Sequence, residues 1–334
     1  MTPPVSHSRP STTSTLEGMQ EFDPHKRQVV HKLRIDHLTA ETAGMLAERH
    51  IETIVLKGPG LAAWLYPDEA RIYSDADLLV APNNWERAGR VLERAGFSAD
   101  PRWIPATQFS ETHAKPFQRD GLSVDLHRAL PGLDGDPQAV WDSLHARAHR
   151  QQIAGAQLKV PDRDALLLHI ALHAAHHAGE PGFKAFEDLR RAIATADESQ
   201  WRQTLDLARA HDGVPAFATG LRLMPEGHDL VRRLGLCQTR SLRHELRGQG
   251  DVMAEELGSL LLSERPAAER LRTVMQELFP RPEYMRHWSV LARRGRLGLA
   301  GAYAWRPLWT IAQLPSAART VWRVTRTATR TEDT

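Results

Sequence analysis

Cysteine is almost absent from this chain of 334 residues, in which Cys237 is the only example. A single thiol excludes a framework of internal disulfides and indicates a reducing compartment. No stretch reaches the roughly 20 apolar residues that a membrane-spanning helix needs. The N-terminus also lacks the basic and apolar regions of a signal peptide. Together these absences predict a soluble, cytoplasmic protein.

An excess of charge of either sign is also lacking. The chain has 43 basic and 41 acidic side chains, and this near balance argues against a protein built to bind long nucleic-acid tracts. Hydrophobic residues make up 41% and charged residues 25%, which is the composition of an ordinary globular protein. The length is sufficient for one large or two ordinary domains.

The first half of the chain has the pattern of an α+β fold. Residues 1–25 are rich in Ser, Thr and Pro and predict a disordered tail. Helical spacing before His50 and at 61–66 and 84–95 predicts flanking helices. Strand patterns lie at 51–56, 76–80, 113–119, 122–126 and 157–160. We therefore expect a small mixed β-sheet core over residues 26–161.

From residue 162 onward the pattern becomes helical. Apolar residues at helical spacing mark the segments 164–178, 183–195, 199–211 and 252–262. We interpret 162–280 as an α-helical domain that follows the sheet. Residues 281–334 mix Trp and Leu with many arginines, which predicts basic C-terminal helices or a tail.

Two aspartates, Asp75 and Asp77, lie at the start of a predicted strand that follows a turn of Gly58, Pro59 and Gly60. Residues i and i+2 of a strand project from the same face, so the two carboxylates lie side by side. Adjacent carboxylates repel each other and are costly to bury unless a cation offsets their charge. Mg²⁺ and similar hard cations prefer oxygen ligands, so the pair predicts a metal site.

A third acid, Asp125, stands in mid-strand between apolar residues, where an acid is expected if it faces a functional cleft. Three carboxylates could hold two metal ions about 3.5–4 Å apart, one beside the attacking oxygen and one beside the triphosphate. The glycine turn would let backbone amides approach the phosphates, and Lys57 or Arg71 would add positive charge.

This order of motifs resembles the DNA polymerase β-like nucleotidyltransferase superfamily, in which a Gly-rich turn precedes Asp-x-Asp and a later Asp. More narrowly, three segments look like a family of uncharacterised bacterial nucleotidyltransferases. They are Leu-Lys-Gly-Pro-Gly-Leu-Ala from Leu56, Ser-Asp-Ala-Asp-Leu-Leu-Val from Ser74, and Val-Asp-Leu-His ending at His127. The resemblance covers residues 39–188. The Lys-Gly-Pro turn replaces the Gly-Ser or Gly-Gly of the wider superfamily, which removes one group that would contact phosphate.

The resemblance implies transfer of a nucleoside monophosphate from an NTP to a small-molecule, peptide or protein acceptor, with Mg²⁺ or Mn²⁺ as cofactor. Members of the family often occur in biosynthetic gene neighbourhoods. Asp75, Asp77 and Asp125 would hold the metal, and Asp125 would also help to deprotonate the acceptor. The residues expected to contact phosphate are Lys57, Gly58, Gly60, Arg71 and Ser74. Further candidates for the site are His127, His173 and Asp188.

Each assignment has a plainer alternative. The aspartate pair could lie at a solvated strand entry, and Lys57 could be a solvated residue leaving a strand. Asp125 could be satisfied by Arg128. Arg71 could form a surface ion pair of little energetic value with Asp68 or Glu69.

A second candidate site lies on the histidine-rich helix, where His169, His173 and His177 follow one another at i, i+4 spacing. This spacing can bind zinc, but His169 lacks the following Glu of a His-Glu-x-x-His motif. The pattern favours histidines that pack against the sheet. Two lesser alternatives are that His173 faces the cleft and that Asp188 holds one of the imidazoles through its ring N–H.

Two other functions compete with nucleotidyl transfer. One is metal-dependent hydrolysis centred on His169, His173 and Asp188. The other is a nucleotide-binding or scaffold protein without turnover, which the proline at position 59 would favour.

The C-terminal region from Arg293 to Arg326 is basic and aromatic, a composition that suits a membrane surface or a nucleic-acid backbone. Gly and Pro interrupt the run, however. This favours a pair of amphipathic helices that cap the core with arginine stems lying over tryptophans.

Overall fold

A computed structural model describes residues 24–99, 113–178, 184–239, 241–249, 251–261 and 266–330. The tail predicted for residues 1–25 lies outside the described residues, apart from its last two positions.

A five-stranded mixed sheet forms the core of the first half, as the sequence predicts. Its strands are β1 (Thr53–Val55), β2 (Asp75–Val80), β3 (Ser98–Ala99), β4 (Ala114–Arg119) and β5 (Leu122–His127). Their order is β1-β2-β5-β4-β3; β2 and β5 are parallel and the other neighbours are antiparallel. The sheet therefore has one parallel pair at its centre.

The strand expected at 157–160 does not join this sheet, and that part of the prediction is wrong. Strand β7 (Ala156–Val160) pairs with β6 (His149–Ile153) in a separate antiparallel ribbon. The residues between them, Ala154 and Gly155, have φ of 46° and 87°. Two successive positive φ angles form the type I′ turn that joins adjacent antiparallel strands, so β7 pairs with its nearest neighbour along the chain.

A turn of the same kind sets the register of β4 and β5. Asp120 and Gly121 have φ of 53° and 73°, and the strands pair from Arg119 opposite Leu122. Because successive strand residues face opposite sides, a slip of one residue would turn Asp125 to the other face of the sheet. The hairpin therefore determines which side chains of β5 can reach the functional site.

Three helices flank the sheet: α1 (Pro24–Ala47), α2 (Pro59–Leu65) and α3 (Trp85–Arg94). In α1, Leu38, Thr42 and Leu46 are buried and form the face predicted from their spacing. This helix packs against β2 and β5. Helix α3 is followed by Gly96 with a φ of 86°, the left-handed conformation that ends many helices.

The rest of the described chain is mainly helical. The helices are α4 (Pro137–Arg147), α5 (Arg163–His176), α6 (Lys184–Thr195), α7 (Glu198–Ala210), α8 (Val214–Arg222), α9 (Pro225–Arg233), α10 (Leu242–Gly248), α11 (Val252–Leu261), α12 (Ala267–Leu278), α13 (Pro282–Trp288) and α14 (Gly295–Arg330). Short 3₁₀ turns lie at Pro82–Asn84 and Leu291–Arg293. The four helices predicted from apolar spacing correspond to α5, α6, α7 and α11.

Helix α5 is central to this half. Ten of its fourteen residues are buried, and it packs against α6, α7 and α8. The side chain of Asp162 accepts a hydrogen bond of 3.0 Å from the backbone N–H of Ala165 and so caps the helix start. A helix that is apolar nearly all round is expected to lie in a protein interior.

The C-terminal region is a single helix, α14, rather than the predicted pair. Pro307 and Pro315 lie inside it. Each proline removes one helical hydrogen bond, but its fixed φ is compatible with the helix, and burial of Ala302, Ala317 and Val324 against α10–α13 offsets the loss. The guanidinium of Arg306 does lie over the ring of Trp288, as predicted for this region. Among the described helices, none is long and apolar enough to cross a bilayer.

The close approach of α8 to α5 gives a test of the fold. A Cβ at Gly220 would lie 2.0 Å from the carbonyl oxygen of Ala171, so Gly220→Ala must separate the two helices. We expect a loss of about 1–3 kcal/mol in the free energy of unfolding, measured by urea denaturation. Gly44→Ala is the matched control because nothing lies within 4 Å of that position. It should stabilise the protein by about 0.5–1 kcal/mol. Equal stability of the two variants would contradict this packing.

Candidate active site

The acids predicted from the sequence meet where β2 and β5 run in parallel. Asp77 pairs directly with Asp125, and Asp75 pairs with Ser123. Directly paired residues project from the same face of a sheet, as do residues i and i+2 of one strand. Asp75, Asp77, Asp125 and His127 therefore share one face, and all four line a single cavity of about 470 Å³.

Three of these side chains are close enough together to hold one metal ion. Donor atoms of Asp77, Asp125 and His127 all lie within 4.8 Å of one another, and in the described part of the chain no other group of His, Cys, Asp and Glu does so. Asp75 lines the same cavity but lies outside this group. Carboxylates suit both Mg²⁺ and Mn²⁺, so Asp77 and Asp125 fit either cation, whereas the imidazole of His127 is a poor ligand for the hard Mg²⁺ ion.

Asp77 is the most strongly paired of the acids. Its buried carboxylate accepts a hydrogen bond of 2.9 Å from Lys57 Nζ and lies 3.1 Å from His127 Nε2. Burial opposes ionisation, but Lys57 and His127 outweigh it and lower the pKa of Asp77 below its usual value. Burial likewise opposes the ammonium of Lys57, yet the carboxylates of Asp77 and Asp75 raise its pKa. Both groups are therefore charged at neutral pH.

Among the described residues, neither Asp125 nor Asp75 forms such an ion pair. Burial and the neighbouring carboxylates of Asp77 and Asp75 raise the pKa of Asp125 to about 6. Burial and Asp77 also raise the pKa of Asp75. Arg128, the alternative partner for Asp125, instead lies over the ring of Trp85, with Cζ 4.7 Å from the ring centre. The site thus holds more negative charge than its own basic groups offset, which is the condition for cation binding.

Of the three residues of the turn that were predicted to contact phosphate, only Lys57 and Gly58 reach the cavity. Lys57 and Gly58 line it, and Gly58 has a φ of 54°, where a Cβ would lie 3.3 Å from the Tyr73 ring. The N–H of Gly60 donates instead to the carbonyl of Lys57 at 3.3 Å. Gly60 is buried beside Leu166, outside the cavity lining. The structure therefore gives Gly60 no position from which to bind phosphate.

Arg71 is buried and pairs with Asp188, not with the surface residues Asp68 or Glu69 that were its alternative partners. Its Nε and Nη2 donate to the two oxygens of Asp188 at 2.8 and 2.6 Å. The hydroxyl of Tyr66 donates to the same carboxylate at 2.7 Å. Glu69, which was one of the alternative partners, forms an ion pair with Arg191. Buried Nη1 of Arg71 has no hydrogen-bond partner among the described residues.

This pairing overturns one expectation for Asp188. Its carboxylate holds Arg71 and Tyr66 rather than an imidazole of the histidine-rich helix. The difference arises because the guanidinium presents two parallel N–H groups that match both carboxylate oxygens. Arg71, Ser74 and Asp188 all line the cavity.

His169, His173 and His176 of α5 line the cavity. For His173 this is the lesser alternative, a side chain that faces the cleft, rather than the favoured interpretation of histidines that only pack against the sheet. His173 Nε2 lies 3.3 Å from Lys57 Nζ. Burial, followed by the charge of Lys57, lowers the pKa of both His169 and His173 well below the usual value. Among the described residues, neither ring nitrogen of His169 has a hydrogen-bond partner. These imidazoles are therefore neutral at neutral pH and add no charge to the cavity.

The hydrolase centre considered from the sequence is not assembled. The rings of His169 and His173 stack with centres 5.8 Å apart, and Asp188 is occupied by Arg71. A metal would need converging donors, which the described residues provide only at Asp77, Asp125 and His127.

The structure adds residues that the sequence did not single out. Tyr66 donates a hydrogen bond from its hydroxyl to Asp188, and the sequence pattern placed this residue only at the end of a predicted helix. His113 precedes β4 beside His127, with ring centres 5.9 Å apart, and no sequence spacing pointed to it. His176 lies between His113 and Arg247, whose Nη1 is 2.8 Å from His176 Nδ1.

Three solved structures illustrate what the chain is similar to. The antibiotic-resistance factor ANT(2'')-Ia is 12% identical, with 57% of this chain and 94% of that chain covered and a TM-score of 0.35. An antigenic nucleotidyltransferase-like protein from Paracoccidioides brasiliensis is 17% identical, with 59% and 92% covered and a TM-score of 0.35. A tRNA nucleotidyltransferase complexed with a primer tRNA and an incoming ATP analogue is 15% identical, with 71% and 75% covered and a TM-score of 0.26.

No curated protein matches the chain significantly. A family model described as "Uncharacterised nucleotidyltransferase" does match, over residues 23–226. The matched region is more than half of the chain and contains every candidate residue described above. The protein therefore belongs to this family of uncharacterised nucleotidyltransferases.

Proposed function

We propose that the protein is a metal-dependent nucleotidyltransferase that moves a nucleoside monophosphate from an NTP to a small-molecule, peptide or protein acceptor. The observation that carries this proposal is the convergence of Asp77, Asp125 and His127 donor atoms within 4.8 Å, with Asp75 in the same cavity. Membership of a nucleotidyltransferase family supports the reaction class.

The carboxylates of Asp75, Asp77 and Asp125 would hold Mg²⁺ or Mn²⁺. The bound metal would supply positive charge to the triphosphate and to the leaving pyrophosphate. His127 is positioned to orient Asp77, since its Nε2 lies 3.1 Å from that carboxylate. The protein's contribution is then mainly the placement of charges before the reaction begins.

The proposed transfer balances as a simple substitution at phosphorus. The acceptor hydroxyl oxygen forms a bond to the α-phosphorus, and the bond from that phosphorus to the bridging oxygen of the β-phosphate breaks. Pyrophosphate leaves with the electron pair. Asp125, which lines the cavity, accepts the proton that the acceptor hydroxyl loses.

Four residues that line the cavity would contact the phosphates: Lys57, Gly58, Arg71 and Ser74. Lys57 lies 2.9 Å from Asp77, and Arg71 is held by two hydrogen bonds to Asp188. A guanidinium fixed in this way loses little freedom when it binds an anion, so Asp188 and Tyr66 act as positioning residues for Arg71.

The first prediction concerns the acids. Asp77→Asn and Asp125→Asn each remove one charged metal ligand, so pyrophosphate release from labelled NTPs in Mg²⁺ should fall at least about a hundredfold. Asp120→Asn is the matched control because Asp120 is an exposed carboxylate in the β4–β5 turn. Asparagine also tolerates its positive φ. This control should keep full activity.

The same assay separates the alternatives. NTP binding without pyrophosphate release, with every acceptor tried and with binding unchanged in Asp77→Asn, would contradict catalysis. That result would indicate a nucleotide-binding protein without turnover. Products of neighbouring genes are suitable acceptors to try, together with each of the four NTPs.

The second prediction concerns Lys57, whose ammonium lies 2.9 Å from the Asp77 carboxylate and would compete with a cation for it. Lys57→Met removes this competing charge, so Mn²⁺ should bind about tenfold more tightly in the absence of nucleotide. NTP turnover should nevertheless fall at least about tenfold because a phosphate contact is lost. Mn²⁺ affinity is measured by titration with electron paramagnetic resonance. Lys115→Met, at an exposed ion pair, is the control and should change neither quantity. Weaker Mn²⁺ binding in Lys57→Met would refute the competition.

The third prediction concerns Asp188. Asp188→Asn removes the charge that fixes Arg71, so the KM for NTP should rise about tenfold with a smaller change in kcat. Arg71→Lys retains the charge without the two-pronged geometry and should behave similarly. Glu69→Gln, which breaks the exposed ion pair to Arg191, is the control. Thermal melts identify variants that fail to fold. Unchanged KM in a folded Asp188→Asn protein would exclude the positioning role.

A further inference from the structure

Helix α14 exposes a continuous apolar face. Leu297 is 90% exposed, Leu308 60% and Ile311 59%, and the rings of Trp305 and Trp322 are more than half exposed. At 3.6 residues per turn these five side chains fall within about one third of the helix circumference. Isolated exposed leucines are ordinary, but a row of this length on one face calls for an explanation.

The inward face of the same helix carries a buried arginine beside the buried Ala302, Ala317 and Val324. Arg306 is only 5% exposed, with Nη2 3.5 Å from a carboxylate oxygen of Glu277 and Nε donating to the Glu277 carbonyl at 2.7 Å. Its guanidinium also lies over the rings of Tyr284 and Trp288. The helix therefore turns an arginine towards the protein and leucine, isoleucine and tryptophan towards the outside. Within the part of the chain that the structure describes, core packing leaves these outward side chains exposed.

The charge of the outward face is of one sign. Helix α14 contains no Asp or Glu over its 36 residues. Arg319, Arg323 and Arg326 are exposed and continue the apolar face towards the C-terminal end. The guanidinium of Arg326 lies over the ring of Trp322, with Cζ 4.8 Å from the ring centre. The face thus consists of an apolar row followed by a basic segment.

From this arrangement we infer that the outward face of α14 docks on an anionic lipid surface, with the helix lying in the plane of the membrane. Apolar side chains would enter the acyl boundary, and the arginines would meet lipid phosphates. Tryptophans suit the headgroup level because their rings are apolar with one polar N–H. The helix cannot span a bilayer, and from Leu297 to Arg326 it offers roughly 44 Å of contact length.

A lipid surface fits this face better than a protein partner does. A bilayer meets the apolar row and the basic end together, without shape complementarity. A protein partner would need an apolar groove of the same length that ends in acids. The inference does not rest on the proposed nucleotidyl transfer, since it uses none of the residues of the cavity.

The test is co-sedimentation of the full chain with phosphatidylcholine vesicles, with and without phosphatidylglycerol. Binding should require the anionic lipid and weaken as salt is raised. The double variant Leu308→Asp/Ile311→Asp should bind at least tenfold more weakly. Arg319→Glu/Arg323→Glu should lose about tenfold or more, because each basic side chain near an anionic surface is worth about a fivefold change in affinity. Leu33→Asp, at an exposed leucine of α1, should bind like the unaltered protein.

Three results would overturn the inference. The first is an absence of binding to phosphatidylglycerol vesicles at low salt. The second is equal loss of binding in Leu33→Asp and in the α14 variants. The third is a dimer of the unaltered chain that Leu308→Asp/Ile311→Asp converts to monomer, without vesicle binding by either form. This last result would assign the face to a second copy of the chain. Circular dichroism melts confirm that each variant is folded.

Discussion

The parallel pairing of β2 with β5 is the constraint on which the site depends. It sets Asp77 directly beside Asp125, with Asp75 two residues away on the same face. Two buried carboxylates at this spacing repel each other, so the fold needs positive charge close to them. Lys57 supplies one charge, and its position follows from the chain path: Leu56 donates its N–H to the carbonyl of Asp77, which brings the next side chain to the acids.

Lys57 alone does not neutralise Asp75, Asp77 and Asp125. The remaining negative charge accounts for the electrostatic properties of the other groups in the cavity. The raised pKa of Asp125, about 6, shows that burial and its acidic neighbours leave its charge poorly compensated. Burial lowers the pKa of His113 to about 3 and those of His169 and His173 well below their usual value, so these three histidines do not supply the missing charge. Arg71 is positively charged but is committed to Asp188. A cavity with poorly compensated acids beside a guanidinium that Asp188 holds in place is consistent with the proposed binding of a metal together with a polyphosphate.

Local patterns predicted the parts of the site that lie within single strands. The i, i+2 aspartates of β2, the acid in the middle of β5 and the mixed sheet all follow from residues adjacent in sequence. The Asp120-Gly121 dipeptide is also a recognisable hairpin signal. The pairing of Arg71 with Asp188 could not be found in this way, since 117 residues separate them. The separate β6–β7 ribbon was missed for another reason. Its turn contains Ala154, and alanine rarely adopts a positive φ, so the residue gives no sequence signal for this turn.

For the C-terminal helix, the sequence predicted helical structure with arginines over tryptophans correctly, but it predicted two helices where the structure has one. Pro307 and Pro315 suggested two helices, yet packing against α10–α13 keeps one continuous helix. Continuity matters because it aligns the apolar row and the arginines on a single face, which two helices at an angle would not do. The same helix packs on α11, where Glu255 pairs with Arg247, and Arg247 in turn contacts His176 of the cavity. Helix α14 is therefore connected to the histidines of the site through its packing on α11 and the contacts of Glu255 and Arg247, so the proposed docking of α14 on a membrane would also bear on the placement of the cavity.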